Sequence, residues 1–521
     1  MNIDKIAIIG GGPSGLVALN EFLHTAKDGT STINSFITSE NKLPFNPAFK
    51  DIVLFEQNSN IGGTWNYSKK TDPLLPTNKD YSLPNNIRPS LSSPTENELL
   101  GTTFEKPLIR SIQSDLVKED LLWNKSGVYD DLFTNVGNRL MRFSSGYDIK
   151  SNVLKDNPYN PFIKHQNVLD YLNKFTEKNN LKSYIRFNSS IEKIYKKKNK
   201  WIIVVVNFDR KNNIEKWYSE KFDSVLIATG RFNIPFVPFI ENMDKFIKKN
   251  PNSISHTKSF RNIDDYENKK VLIVGSSIGA IDLLQYMIPK CKEVWLSSNS
   301  TKKITIKPKD NILKQGQWIY DILNDENAKF KRCCKIKKFS NDGNSIEFED
   351  GEKINGFDKI LFATGYHLHY PFLEIPENKD KNYIKILSGK KNESNYAFTK
   401  ADNAFLYVFT VNEPTLCYTG IAHNPLLFLT AEANAIAIAG VWSNSKKLPS
   451  INDQKKWCKE KLDVQVDGLQ MFDEYGFKTY AKELYQYAPE KRINLINLVQ
   501  DEEVDKSRNV LKKIFYEISS S

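Results

Sequence analysis

A chain of 521 residues, 40% of them hydrophobic, exceeds what one ordinary core holds and implies two or three domains, in series or interleaved. The formal net charge of +11 comes from lysines scattered along the chain, with local clusters KKKNK (196–200) and KRCCKIKK (331–338). Solvated hairpins or helix faces account for such runs, with nucleic acid or a membrane surface as the alternative; no basic and aromatic residues interleave as in an RNA-binding module, so no nucleic-acid partner is expected.

Cysteine usage and the apolar pattern narrow the setting. Cys291, Cys333, Cys334, Cys417 and Cys458 form an odd set with no CxxC, which predicts a reducing compartment. The strand pattern that opens at Lys5 leaves no room for a signal peptide. The longest apolar segment, 426–442, carries Glu432 and Asn434 and falls short of the roughly 20 residues of a membrane span, so it reads as a buried helix. The C-terminal KKIFYEISSS offers no anchor. The expected location is the cytoplasm, with the cytoplasmic face of the endoplasmic reticulum as the alternative. No integral membrane segment is expected; peripheral membrane contact and a homo-oligomer stay open.

Short apolar, β-rich runs punctuate the chain: KIAIIG from Lys5, DIVLFE from Asp51, WIIVVV from Trp201, SVLIATG from Ser224, KVLIVG from Lys270, EVWLSS from Glu293 and KILFATG from Lys359. Glycine turns bound several of them and helix-period segments follow, a pattern of parallel strands buried on both faces in an α/β protein. Two polar insertions, 25–50 and 68–113, interrupt the rhythm and read as surface loops, the second as a partly disordered segment or a lid. A strand-turn-helix unit with a glycine corner occurs twice, at Gly10 and at Gly275, which suggests two Rossmann-like dinucleotide-binding units.

In IAIIGGGPSGLVALNEFL, Gly10 permits the tight turn, Gly12 lets a pyrophosphate approach the backbone, and Gly15 lets helix pack against strand. Gly11, Pro13 and Ser14 complete the loop at the helix N-terminus, where backbone amides favour an anion. The second strand of such a unit ends in an acid that binds a ribose; DIVLFEQ supplies Glu56, followed by Gln57, and the 25–50 insertion explains its distance from the glycines. A charge at a strand end facing water is the alternative. NIGGTW follows, where Gly62 and Gly63 free the backbone to approach a ligand, Thr64 follows them, and Trp65 offers a flat apolar surface; a turn with a packing tryptophan is the plainer reading.

The glycine turn, Glu56 and GGTW together resemble the start of the flavin-containing monooxygenases, of the fungal type, and the resemblance extends to about residue 450. YDDLFTNVGNRLMRF (129–143) is similar to the family segment that bears a Thr-Asn pair beside the flavin, here Thr134 and Asn135. PFIKHQNVLDYL (161–172), ATGYHLHYPFL (363–373), LCYTGIAHNP, AEANA and LPS are similar to later family elements, and the ATGY…PFL stretch is the most specific of these. The resemblance adds Ile191 to the flavin-binding set.

The resemblance implies two Rossmann-like domains, with an NADP domain inserted into a discontinuous FAD domain. The expected division is 1–234 and 358–450 for FAD, 235–357 for NADP(H), and 451–521 as a C-terminal helical extension. The two strands ending in ATG mark the crossings. In the inserted unit, VLIVGSSIGA places Gly275, Ser276, Ser277, Ile278, Gly279 and Ala280 at the NADP(H) turn, with Ser277 and Ala280 where glycines stand in the first turn. Ser277 is small and adds a hydroxyl donor; Ala280 still permits near packing of helix on strand. The family fingerprint before this turn survives only as His256 and Phe260, because Asn250 and Asn252 stand at its other positions. For the 2′-phosphate, where relatives often carry Arg and Thr, this chain offers Asn299 and Ser300 with Lys302 or Lys303 for charge, or a solvated turn.

The resemblance also implies FAD and NADPH/NADP+ as cofactors and O2 as co-substrate, with a C4a-hydroperoxide that oxygenates thiols, sulfides and amines of small molecules. Such chemistry needs few acid or base residues, and the sequence has no Ser/His/Asp set or metal-ligand cluster. Asn135 is the candidate catalytic residue, since an amide donates and accepts without titrating; a turn cap is its plainer role. A Baeyer-Villiger or N-hydroxylating monooxygenase and a non-catalytic flavin or nucleotide sensor are the alternatives. Without CxxC, a disulfide reductase is disfavoured.

Overall fold

The computed structural model describes residues 1–34, 42–72, 93–112, 123–146, 160–298, 317–374, 384–388, 397–463, 474–499 and 501–521. Strand Lys5–Ile9 lies inside the first sheet, parallel to Asp51–Phe55 on one side and Ser224–Ile227 on the other. Leu416–Tyr418 and Ile185–Arg186 extend it in parallel, and Ala404–Phe405 and Phe409–Thr410 form an antiparallel edge. Helix Pro13–Leu23, which the glycine turn launches, packs on Leu427–Trp442, a helix buried along nearly its whole length. The apolar 426–442 segment is therefore a core helix, and no helix among the described residues is long and apolar enough to cross a membrane.

WIIVVV departs from the parallel arrangement expected of it. It lies in Lys200–Asp209, the inner strand of an antiparallel sheet between Ser189–Lys197 and Ile214–Phe222. Its side chains are buried in both directions. Trp201, Ile203 and Val205 join the main core, while Val204 and Val206 pack with Leu99 and Trp217. Leu99 comes from the 68–113 insertion, and Leu108–Ser111 from the same insertion adds an edge strand. Continuous burial, which the parallel reading relied on, here arises from a covered antiparallel sheet. Residues 73–92 of that insertion lie outside the described residues.

The 25–50 insertion is likewise more than a surface loop where it is described. Ile33 and Phe49 are buried, and Ser31 and Gly29 exchange backbone hydrogen bonds of 2.9 Å with Glu490. The C-terminal segment thus closes over it. Beneath, Arg492 donates to both oxygens of Glu21 at 2.9 and 2.6 Å and to Glu432 Oε1 at 2.8 Å, tying the C-terminal segment to helices Pro13–Leu23 and Leu427–Trp442.

The second sheet is all parallel, in the order Ile254–His256, Lys359–Phe362, Lys270–Val274, Glu293–Ser297, Lys331–Cys333. Lys359–Phe362 belongs here because it pairs with Lys270–Val274, so this sheet runs past the edge expected at 357. The two crossings lie side by side: Ile234–Pro235 pairs antiparallel with Tyr366–His367. The residues beyond 450 divide between the units. Phe477 and Tyr480 of helix Glu474–Tyr485 enter the first core, whereas Phe515 of helix Asp501–Ser520 enters the second.

Candidate active site

The two glycine corners are near copies. Gly10 has φ +112° and Gly275 φ +114°, the left-handed side of the map where glycine is favoured. A Cβ on Gly10 would stand 2.6 Å from Ala228 O, and one on Gly275 the same 2.6 Å from Ala363 O. Each corner donates its amide to the strand next door, Gly10 to Phe55 O at 2.8 Å and Gly275 to Ser297 O at 2.9 Å. Ser277 occupies the N-cap with φ −91° and ψ −176°, close to −79° and −176° at Gly12, and its hydroxyl makes no capping bond. The second turn therefore keeps the shape of the first. The difference lies at the helix-strand contact: a Cβ on Gly15 would stand 1.9 Å from Gly10 O, while at the matching place the second unit buries the methyl of Ala280. Ser277, Ile278 and Gly279 are exposed at the mouth of their turn, and Ser276 is half-buried.

The first turn opens into a cleft. Gly10, Gly11, Gly12, Pro13 and Ser14 form its floor, and Glu56, Gln57, Gly63, Thr64 and Ile191 also line it. Glu56 is buried, accepting from Gly11 N at 2.7 Å and Asn58 N at 2.8 Å. Burial pushes its carboxyl up, opposed by those two amides. A Cβ on Gly63 would stand 2.9 Å from the Cα of Gly12, so the GGTW loop lays bare backbone against the glycine turn. A glycine cradle, a helix N-terminus and an acid at the strand end fit a dinucleotide such as FAD.

Three expected residues sit elsewhere. Trp65 is half-buried against the first core and does not line the cleft. Thr134 is buried and occupied, donating to Val136 O at 2.8 Å and accepting from Ile163 N at 3.2 Å. Asn135 beside it is exposed and outside the cleft lining. Asn299, Ser300, Lys302 and Lys303 lie outside the described residues. His256 is a structural residue: its Nε2 is 3.0 Å from Gly365 O and its Nδ1 accepts from Lys258 N at 3.1 Å. Burial first of all lowers its pKa to about 3 and holds it neutral. Phe260 packs in the second core against Tyr129.

Sequence patterns missed much of the cleft wall: Trp123 to Ser126, Arg231 to Asn233, and His367 with His369. The wall is held from the second unit. Lys258 pairs with Asp72 at 2.5 Å and donates to Asn233 O at 2.5 Å and Trp123 O at 3.3 Å. Arg261 donates to Ser68 O at 2.7 Å, Lys70 O at 3.0 Å and Ser126 O at 2.8 Å. Only one signal was available: basic residues, Lys258 and Arg261, flanking the buried aromatic Phe260 in an otherwise polar segment.

The architecture and cleft define a two-dinucleotide flavoprotein of the oxidoreductase class. The model of the pyridine nucleotide-disulphide oxidoreductase family matches residues 145–397, although among the described residues no cysteine forms a disulfide. The chain is 26% identical to the flavin-containing monooxygenase iboF of Amanita muscaria over 86% of this chain and 80% of that one. It is 24% identical to the trimethylamine monooxygenase of Methylocella silvestris, over 90% of this chain and 82% of that one. In structure it is similar to Tmm from a Pelagibacter strain, with TM-score 0.63, 21% identity, and 98% and 90% of the two chains covered. The S-allyl-L-cysteine S-oxygenase of Allium sativum superposes with TM-score 0.63 at 19% identity, covering 98% of this chain and all of that one. Over most of its length the chain is similar to flavin-containing monooxygenases, and these relatives mark it as an FAD- and NADPH-dependent monooxygenase.

Proposed function

We propose that the protein oxygenates a soft sulfur or nitrogen nucleophile of a small molecule, with FAD in the first cleft and NADPH at the Gly275 turn. FAD, held by the glycine turn and Glu56, would supply hydride acceptance from NADPH and activation of O2, with one oxygen atom going to the substrate and the other to water. The observation that carries this reading is the convergence on one cleft of the glycine turn, Glu56, the GGTW loop and the first crossing segment.

In this reading the protein's own groups bind, orient and exclude water. Gly11 and Gly12 bring backbone against the diphosphate, and Glu56 fixes a ribose while two amides hold its carboxylate in place. Ser277, exposed at the second turn, would offer its hydroxyl to the NADPH phosphates. Asn135 is exposed and uncharged and lies outside the cleft lining; its amide would serve a substrate or nicotinamide that reaches it from the solvent side. Trimethylamine and S-allyl-L-cysteine, named for the relatives above, illustrate the two nucleophile classes.

Purified protein is expected to be yellow, to be bleached by NADPH without oxygen, and to convert cysteamine or methimazole in air. Sulfide, amine and ketone substrates compared by NADPH oxidation and product analysis separate this reading from the Baeyer-Villiger and N-hydroxylating alternatives. Protein that stays indifferent to NADPH after reconstitution with FAD overturns it in favour of a sensor.

A further inference from the structure

Four lysine and arginine residues are buried among the described residues, and three of them are satisfied. Arg492 grips Glu21 and Glu432. Lys258 pairs with Asp72. Arg261 spends its guanidinium on backbone oxygens of residues 68, 70, 126, 258 and 260. Arg231 differs. It is 7% exposed and lines the cleft, yet its bond is a single Nη1 donation to Ile421 O at 2.7 Å. No carboxylate among the described residues acts on it; burial lowers its pKa to about 10, so it stays charged at neutral pH. A buried, unpaired charge is unfavourable by several kcal/mol unless a ligand brings the opposite charge.

The surroundings favour an anion. Tyr370 Oη, Thr419 Oγ1 and His423 Nδ1 are buried without hydrogen-bond partners. The segment bearing Thr419 and His423 lies against Arg231: His423 packs edge-on to Phe232 at 5.7 Å, and a Cβ on Gly420 would stand 3.8 Å from the Cα of Gly230. Burial, then Arg231, keeps His423 neutral, lowering its pKa to about 3. A fixed cation among neutral groups able to donate is the composition of an oxyanion site.

Building on the function proposed for this cleft, we infer that Arg231 is its anion anchor, taking an oxyanion with the Tyr370 hydroxyl beside it as a neutral donor. Two sources share that chemistry: the diphosphate of the bound dinucleotide, or the carboxylate of an amino-acid-like substrate.

The test uses the full chain as wild type, Arg231→Met, Arg231→Lys and Tyr370→Phe. Tyr370→Phe removes an unpartnered hydroxyl and leaves the fold intact, so it reports even where Arg231→Met fails to fold. FAD affinity of the reconstituted apoprotein and the thermal shift given by inorganic pyrophosphate are measured first. Then KM and kcat are compared, at saturating FAD, for methylthioacetate and for uncharged ethyl methyl sulfide. If the diphosphate is the ligand, Arg231→Met weakens FAD about tenfold to a hundredfold and abolishes the pyrophosphate shift. If a substrate carboxylate is the ligand, FAD affinity holds, while KM for methylthioacetate rises about tenfold or more at unchanged kcat and the neutral sulfide is unaffected. In either arm Arg231→Lys recovers part of the loss and Tyr370→Phe shows a smaller loss of the same kind. FAD affinity, pyrophosphate shift and both KM values within about twofold of wild type in all variants overturn the inference. Wild type that oxygenates neither sulfide sinks the functional reading, while the pyrophosphate shift still reports on Arg231.

Discussion

Tyr129 and Asp282 meet across the two nucleotide-type units: the phenol, on the segment that leads to Thr134 and Asn135, donates to Asp282 Oδ2 on the helix launched by the Gly275 turn. Tyr129 is buried and Asp282 half-buried, and Gln285 Nε2 donates to the other carboxylate oxygen at 3.2 Å. A second link joins the same elements, from Tyr286 Oη to Asp131 O at 3.1 Å. Burial raises the Asp282 pKa to about 6, opposed by the Tyr129 bond. The folded state thus holds this proton more tightly than the unfolded chain, and the stability it contributes is present below the ordinary aspartate range and lost as pH rises through about 6. Asp282→Asn is expected to flatten the dependence of unfolding free energy on pH between roughly 4 and 6, on the order of 2–3 kcal/mol, in denaturant titrations. An unchanged pH profile would remove Asp282 from that role.

The glycine turns make opposite demands on a methyl group. Gly15→Ala forces a Cβ to within 1.9 Å of Gly10 O, so helix and strand must separate. We expect a loss of about 1–3 kcal/mol together with loss of bound FAD. Gly279 is helical and has open space where a methyl would go, with nothing within 4 Å, so Gly279→Ala raises the melting temperature of nucleotide-free protein by the equivalent of about 0.4–1 kcal/mol. Equal effects of the two changes would contradict the packing described.

Arg492 balances two buried carboxylates, and Ser144 adds its amide to Glu432 at 2.9 Å. Arg492→Met strands both acids and is expected to lower stability by roughly 3–5 kcal/mol in urea unfolding. Burial, with Glu21 adding to it against Arg492, pushes the Glu432 carboxyl up. Glu432→Gln keeps the acceptor for Ser144 and is expected to be the milder change.

Asn135 separates folding from chemistry, because it is exposed. Asn135→Ala should leave stability within about 0.5 kcal/mol. If the amide serves the reaction, the yield of oxygenated product per NADPH consumed falls on the order of a hundredfold, with hydrogen peroxide making up the difference. An unchanged yield assigns Asn135 to the turn alone.

What the sequence determined was local. Gly10 and Gly275 were readable as corners because a left-handed glycine between strand and helix is a short-range requirement, met within a few residues. Glu56 was readable at a strand end for the same reason, and the apolar 426–442 stretch as a core helix because Glu432 and Asn434 interrupt it and it falls short of the roughly 20 residues of a typical span. Tertiary structure decided the rest. WIIVVV looked parallel because both its faces are apolar, and only the Leu99 and Trp217 cover makes that burial compatible with an antiparallel sheet. Lys359–Phe362 joined the second sheet through pairing with Lys270–Val274, which no residue of its own specifies. Arg231 was invisible because its distinguishing property is the lack of a counter-charge, and that depends on what distant segments bring to it: burial by residues 370 and 418–423, far along the chain, turns an ordinary arginine into an unpaired charge facing the cleft.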